Sequence, residues 1–150
     1  MIANWIHVMI VHLAVIGTPW LLYRIWIARK LPMDGAAWKV NFSGLLILGV
    51  IASVAYFTGP RAADWTKEIL DNYPQDLVEN HALLGRVAFV IQVIGALLGV
   101  MGWASILQEE TPDKRIASVL LLLLGVNTAV ILYTAHLGGL IRRMDLASIL

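Results

Sequence analysis

Histidine is the residue type in this sequence that points most clearly to chemistry. The chain has four histidines and no cysteine, and the histidines are His7, His12, His81 and His136. Imidazole binds metals where thiolates are absent, and a haem iron takes one or two axial histidines. The lack of cysteine excludes disulfides, thiolate-held iron–sulfur clusters, zinc–thiolate sites and covalently attached c-type haem. Haem b, a copper site or a proton relay are the remaining uses for these side chains.

The four histidines stand in a strongly apolar chain. Of its 150 residues 59% are hydrophobic and 14% are charged, and the mean hydropathy is +0.77. A soluble domain carries roughly 25% charged residues, so the composition argues against a water-soluble enzyme. The net charge of +1 offers no basic surface for nucleic acid. Nucleotide-binding loops, nucleophile elbows and zinc-protease motifs are also absent from the sequence, and a small membrane protein is therefore predicted.

Four segments are long enough to cross a bilayer, which requires about 20 apolar residues in a helix. We place them within one domain, 1–150, at residues 2–27, 40–59, 82–107 and 116–141. Because backbone in lipid must satisfy its own hydrogen bonds, the expected fold is an all-α integral membrane four-helix bundle. The first segment is not preceded by basic residues, so we expect it to remain in the mature protein rather than to be a signal peptide.

Lysine and arginine beside the spans give a weak orientation. Six lie on one side, namely Arg24, Arg29, Lys30, Lys39, Lys114 and Arg115, and five on the other, namely Arg61, Lys67, Arg86, Arg142 and Arg143. The positive-inside rule then puts both termini on the outer side of a bacterial or archaeal cytoplasmic (inner) membrane. On this orientation Trp38 is expected in the inner interfacial belt.

The segment 61–80 is the longest polar connection in the chain. Its pattern predicts a short amphipathic helix on the outer surface, capped by Asp64 and directing Trp65 toward the membrane. A new helix is expected to start at Pro74 and to continue into the third span. The segment would act as a connection, a lid or a docking surface.

All four histidines collect at the outer face and come from three different spans. Counted along the helices at about 1.5 Å per residue, His12 and His136 lie roughly 12 and 9 Å deep, and His7 and His81 about 4.5 and 3 Å. Since intramembrane ionisable residues usually face the bundle interior, this match suggests a deep pair and a shallow pair, hence one or two b haems. The alternative for each single histidine is a hydrogen bond to a neighbouring helix.

Four arginines lie where haem propionates would emerge, and they are Arg61, Arg86, Arg142 and Arg143. We assign the first three as candidate cofactor-binding residues; the alternative is contact with lipid headgroups. Within the spans, Gln92 and Asn127 are expected to hydrogen-bond between helices. The small-residue pair Gly95 and Gly99 is expected to allow close helix packing or to leave room for a flat cofactor.

Several short motifs resemble a known family. They are His7 to His12, Thr58-Gly59 with Asp64-Trp65, His81, and Gly138 to Arg142. Together they resemble an uncharacterised bacterial four-helix membrane family, catalogued as a domain of unknown function and sometimes fused to Rieske iron–sulfur domains. That family has proline directly after the first histidine, where this chain has Val8. The resemblance implies a link to membrane redox chemistry of the b-type cytochrome kind.

These observations predict a haem b-binding electron-transfer protein rather than a stand-alone catalyst. It would be a cytochrome b-like subunit of a respiratory or other redox complex, with bis-histidine haem near the outer face. Its partners would be other membrane redox subunits, a peripheral electron-transfer protein or a quinone. The alternatives are a cofactor-free scaffold subunit and a metal or proton transporter.

Overall fold

The computed structural model describes residues 2–143, with the side chains of residues 2–4 excepted. They form four helices: α1 is Ile2–Ala28, α2 is Ala36–Ile69, α3 is Gln75–Leu107 and α4 is Arg115–Arg142. Each is long and apolar enough to cross a membrane, and no strand occurs between residues 2 and 143. The all-α four-helix bundle is thus confirmed. The predicted domain 1–150 also includes residues 1 and 144–150, which lie outside the described residues.

The helices stand at the corners of a square. Each packs against the next along the chain and α4 packs against α1, whereas the diagonal pairs have no backbone contact over the described residues. Neighbouring helices are antiparallel. At one end of the bundle, α1 and α3 begin and α4 ends; we call it the histidine end, after His7 and His81. The start of α1 and the end of α4 thus share one side of the bundle, as predicted. At the opposite end the Trp38 indole N–H donates to the Ala28 carbonyl over 3.0 Å.

The bundle is packed tightly at the end opposite the histidines. The contiguous core there consists of Leu21, Ile25, Ala28, Met33, Trp38, Phe42, Leu45, Leu48, Ala117, Leu120 and Leu124. Toward the histidine end many positions are only half-buried, among them His7, Ala55, His81, Gly85 and Thr134. One half of the bundle is therefore closed by apolar side chains, and the other is more open.

Glycines bring α2 and α3 close together. A Cβ atom at Gly49 would lie 2.7 Å from Cβ of Ala96, and one at Gly99 would lie 3.1 Å from Cβ of Leu45. The Phe42 ring rests directly on Gly102. Of the two roles considered for the glycines of the third span, these contacts show the packing role at Gly99.

Two local predictions were wrong. The separate short helix after Asp64 is not found in the described chain, because α2 continues through Pro60 to Ile69. A proline removes one helical hydrogen bond, and here the helix continues on the far side, where the Thr66 hydroxyl bonds to the Ala62 carbonyl. Trp38 is fully buried in the core instead of lying in an interfacial belt. The helix start predicted at Pro74 agrees with α3, which begins at Gln75.

Candidate functional site

His7 is held by α2 at the histidine end of the bundle. Its Nδ1 lies 2.9 Å from the Ala55 carbonyl oxygen and 3.2 Å from the Thr58 hydroxyl oxygen. A carbonyl can only accept, so Nδ1 carries the proton and donates it. The unprotonated nitrogen of the neutral ring is then Nε2, whose lone pair is free to bind a metal. Gly59 leaves space for the ring, since a Cβ there would lie 3.5 Å from Cε1 of His7.

His81 is held by α4 in the same manner. Its Nδ1 donates to the Thr134 carbonyl over 2.9 Å. A Cβ atom at Gly138 would lie 3.1 Å from Cε1 of the imidazole, so the ring packs directly against the glycine backbone. The bond to a carbonyl fixes the tautomer and again makes Nε2 the free nitrogen.

The two histidines occupy equivalent positions in two similar helical hairpins, α1–α2 and α3–α4. In α2 the accepting carbonyl, Ala55, precedes the contacting glycine, Gly59, by four residues; in α4 the carbonyl of Thr134 precedes Gly138 by four. Each hairpin thus places one imidazole against a carbonyl and a glycine four residues apart, and His7 has the Thr58 hydroxyl as a further contact.

The two imidazoles meet across the bundle from diagonally opposed helices. Their ring centroids are 6.5 Å apart and their planes are inclined by 76°. Neither Nε2 has a hydrogen-bond partner among the described residues. The pair therefore directs two oriented rings, each with a free nitrogen, into one region of the bundle.

The structure does not bring His12 and His136 together. Both are exposed, and no ring contact joins them within the part of the chain that the structure describes. His12 bonds through Nδ1 to the Val8 carbonyl of its own helix, and His136 stacks on Tyr133 with centroids 6.3 Å apart. His12 follows His7 by five residues, which turns it by about 140° around the helix, so only one of the two can face the interior.

The three candidate arginines are all exposed. Arg142 follows Gly138 by one helical turn, and its guanidinium lies 5.2 Å from the Trp65 ring centroid. Arg86 follows His81 by five residues and therefore lies about 140° around α3 from it. Arg61 follows Gly59 by two residues and therefore lies about 160° around α2 from it. Arg142 is thus the candidate on the same face as the histidine contacts.

The described residues contain no group of three or more histidine, aspartate or glutamate side chains that could hold a metal ion. The histidine pair offers two candidate ligands.

Sequence reasoning missed the carbonyl acceptors, Ala55 and Thr134. A backbone carbonyl is present at every residue and leaves no trace in the sequence. Thr58, Gly59 and Gly138 did stand in the motifs that carry the family resemblance, but without an assigned role.

Comparison with known proteins gives no match, whether with family models, with curated proteins or with solved structures.

Proposed function

We propose that His7 and His81 would hold the iron of one haem b, and that this membrane protein would transfer electrons as a cytochrome b-like subunit of a respiratory or other redox complex. The observation that carries the proposal is the pair of imidazoles on opposed helices, 6.5 Å apart between centroids, each with Nδ1 bonded to a carbonyl.

The separation of the rings fits a metal bound between them. Two metal–imidazole bonds of about 2 Å, together with the distance from each nitrogen to its ring centre, add up to about 6 Å. Metal-binding histidines almost always donate their other ring N–H to a carbonyl, a carboxylate or water, as both histidines do here.

The number of ligands favours haem over a bare metal ion. A structural zinc site takes four protein ligands and a catalytic one takes three, and no such group occurs among the described residues. Haem needs only one or two protein ligands, because the porphyrin supplies four nitrogens. A zinc ion is therefore less well matched by this pair than haem is.

The surroundings also fit a flat, apolar group with an acidic edge. Positions around the pair are half-buried, and glycines replace side chains beside both rings. Arg142 lies one turn beyond Gly138, where a propionate would leave the bundle, and would hold that carboxylate.

When bound, haem supplies a reversible one-electron iron couple. The residues of this chain would hold the iron, keep the rings in one tautomer and exclude lipid from the metal. Donor and acceptor would be other membrane subunits, a peripheral redox protein or a quinone. A bacterial or archaeal cytoplasmic (inner) membrane, with the histidine end outward, is the proposed location.

The test is a dithionite-reduced minus oxidised spectrum of the purified protein, with pyridine haemochrome quantitation. We expect a b-type spectrum with one haem per chain, lost in His7→Ala and in His81→Ala. The matched controls are His12→Ala and His136→Ala, which remove exposed imidazoles and should keep the full spectrum.

Other outcomes separate the alternatives. Two haems per chain, with loss of one in the His12 and His136 variants, would replace this proposal with the deep and shallow pairs considered above. A colourless protein, expressed with adequate haem supply, would overturn it in favour of the scaffold or transport function.

A further inference from the structure

A cluster of polar side chains joins three helices at the middle of the bundle. The Asn127 side-chain amide donates to Oε1 of Gln92 over 2.9 Å, and the Thr18 hydroxyl donates to the same oxygen over 3.5 Å. The prediction that Gln92 and Asn127 hydrogen-bond between helices is thereby confirmed. All three residues are buried: Thr18 and Asn127 are 0% exposed and Gln92 is 2% exposed.

This cluster leaves one donor and one acceptor unmatched. Nε2 of Gln92 and Oδ1 of Asn127 have no hydrogen-bond partner among the described residues. Exchanging the nitrogen and oxygen of both amides does not remove the problem, because Oε1 of Gln92 and Nδ2 of Asn127 then become the unmatched atoms. Either orientation leaves one donor and one acceptor in the bundle interior.

Such groups are costly to leave unmatched away from bulk water. The two amides are already joined by a hydrogen bond, so a molecule that both donates and accepts would satisfy both unmatched atoms if it contacted the two amides. Buried water typically makes two to four hydrogen bonds to groups that otherwise lack a partner. We propose that Gln92 and Asn127 bind an ordered water molecule, with the Thr18 hydroxyl oxygen as a third partner.

The approach to this water lies on the histidine side. On α1, His7 is followed seven residues later by Ala14 and eleven residues later by Thr18 of the cluster. On α3, His81 is followed at the same intervals by Ala88 and by Gln92 of the cluster. Gly85, between His81 and Ala88, has nothing within 4 Å of where a Cβ would lie. On the other side the apolar core closes the bundle with Leu21, Leu45 and Leu124. The proposed water site therefore has the apolar core on one side and the half-buried histidine end on the other.

Solution NMR of the full chain in detergent micelles tests the proposal without reference to haem. The probe is cross-relaxation between water and the side-chain NH₂ of Gln92. The NH₂ signal is assigned by its disappearance in Gln92→Leu. Dithionite is present so that any bis-histidine haem is ferrous and diamagnetic. The control within the same molecule is the Trp38 indole N–H, which is fully buried but bonded to Ala28.

We expect a water cross-peak at Gln92 and none at Trp38. In Asn127→Leu, which removes the acceptor, the Gln92 cross-peak should fall to the level of Trp38. If the Gln92 amide in the unmodified protein shows no more contact with water than Trp38 does, the cluster is dry and the proposal is wrong. The unmodified protein decides this by itself, even if the Asn127 variant does not fold.

Discussion

Gly138 lies so close to His81 that a Cβ atom on the glycine would stand 3.1 Å from Cε1 of the imidazole. One turn earlier, the Thr134 carbonyl accepts the Nδ1 proton of the same ring. Helix α4 therefore fixes the imidazole by a hydrogen bond and by a flat backbone surface. The absence of a side chain at residue 138 is part of what positions the ring.

Gly138→Val should displace His81 and abolish haem binding. Its branched side chain would enter space that the imidazole fills, and overpacking of this kind costs about 1–3 kcal/mol. Gly139→Val is the matched control, because a Cβ at Gly139 meets nothing within 4 Å and the position is exposed. The measurements are haem per chain and thermal stability. Equal haem content in the two variants would contradict the proposed role of Gly138.

Thr58→Val should keep the haem but raise its midpoint potential. The Thr58 hydroxyl oxygen lies 3.2 Å from Nδ1 of His7, and an acceptor at Nδ1 makes the ring a stronger donor to ferric iron. Loss of about 0.5–1.5 kcal/mol of hydrogen bonding corresponds to about 20–60 mV for a one-electron couple. Redox titration measures the shift. Ser53→Ala removes a hydroxyl of α2 that bonds only to Gly49, and should leave the potential unchanged.

Trp38→Phe should destabilise the bundle, although the residue lies far from the histidines. The indole is fully buried against Phe42, with ring centroids 5.4 Å apart, and donates to the Ala28 carbonyl. Loss of this bond and of part of the ring should cost about 1–3 kcal/mol. Trp5→Phe changes a side chain that is 60% exposed and should have no comparable effect. Thermal denaturation in detergent compares the two, and equal melting temperatures would refute the core role of Trp38.

Gln92→Leu and Asn127→Leu should each destabilise the protein, and the double variant should lose less than the sum. Each single change leaves the other buried amide with fewer partners, at a cost of about 1–3 kcal/mol, whereas the double change removes both polar groups together. Denaturation of the four proteins gives the coupling energy. Strictly additive effects would show that the two amides do not interact.

The sequence predicted the four spans because length and composition alone determine them in a bilayer. It also predicted that the histidines gather at one end, since helix direction alternates along the chain. Depth counting put His7 beside His81, and the structure brings these two rings together.

The direction in which each histidine points could not be predicted. Helix α1 carries apolar residues on all sides, so no polar stripe shows that His7 faces inward and His12 outward. Beyond Pro60, α2 contacts α4 through Trp65 and Arg142, which are distant in sequence. The burial of Trp38 depends on the loop that brings it back onto Ala28.

The equivalence of the two hairpins has a consequence for assembly. Each hairpin carries half of the proposed site: one ligand, its carbonyl and its glycine. A bound haem would then act as a crosslink between the two halves of the chain. Its binding free energy would stabilise the association of one hairpin with the other. Losing the cofactor would loosen this junction before either hairpin came apart.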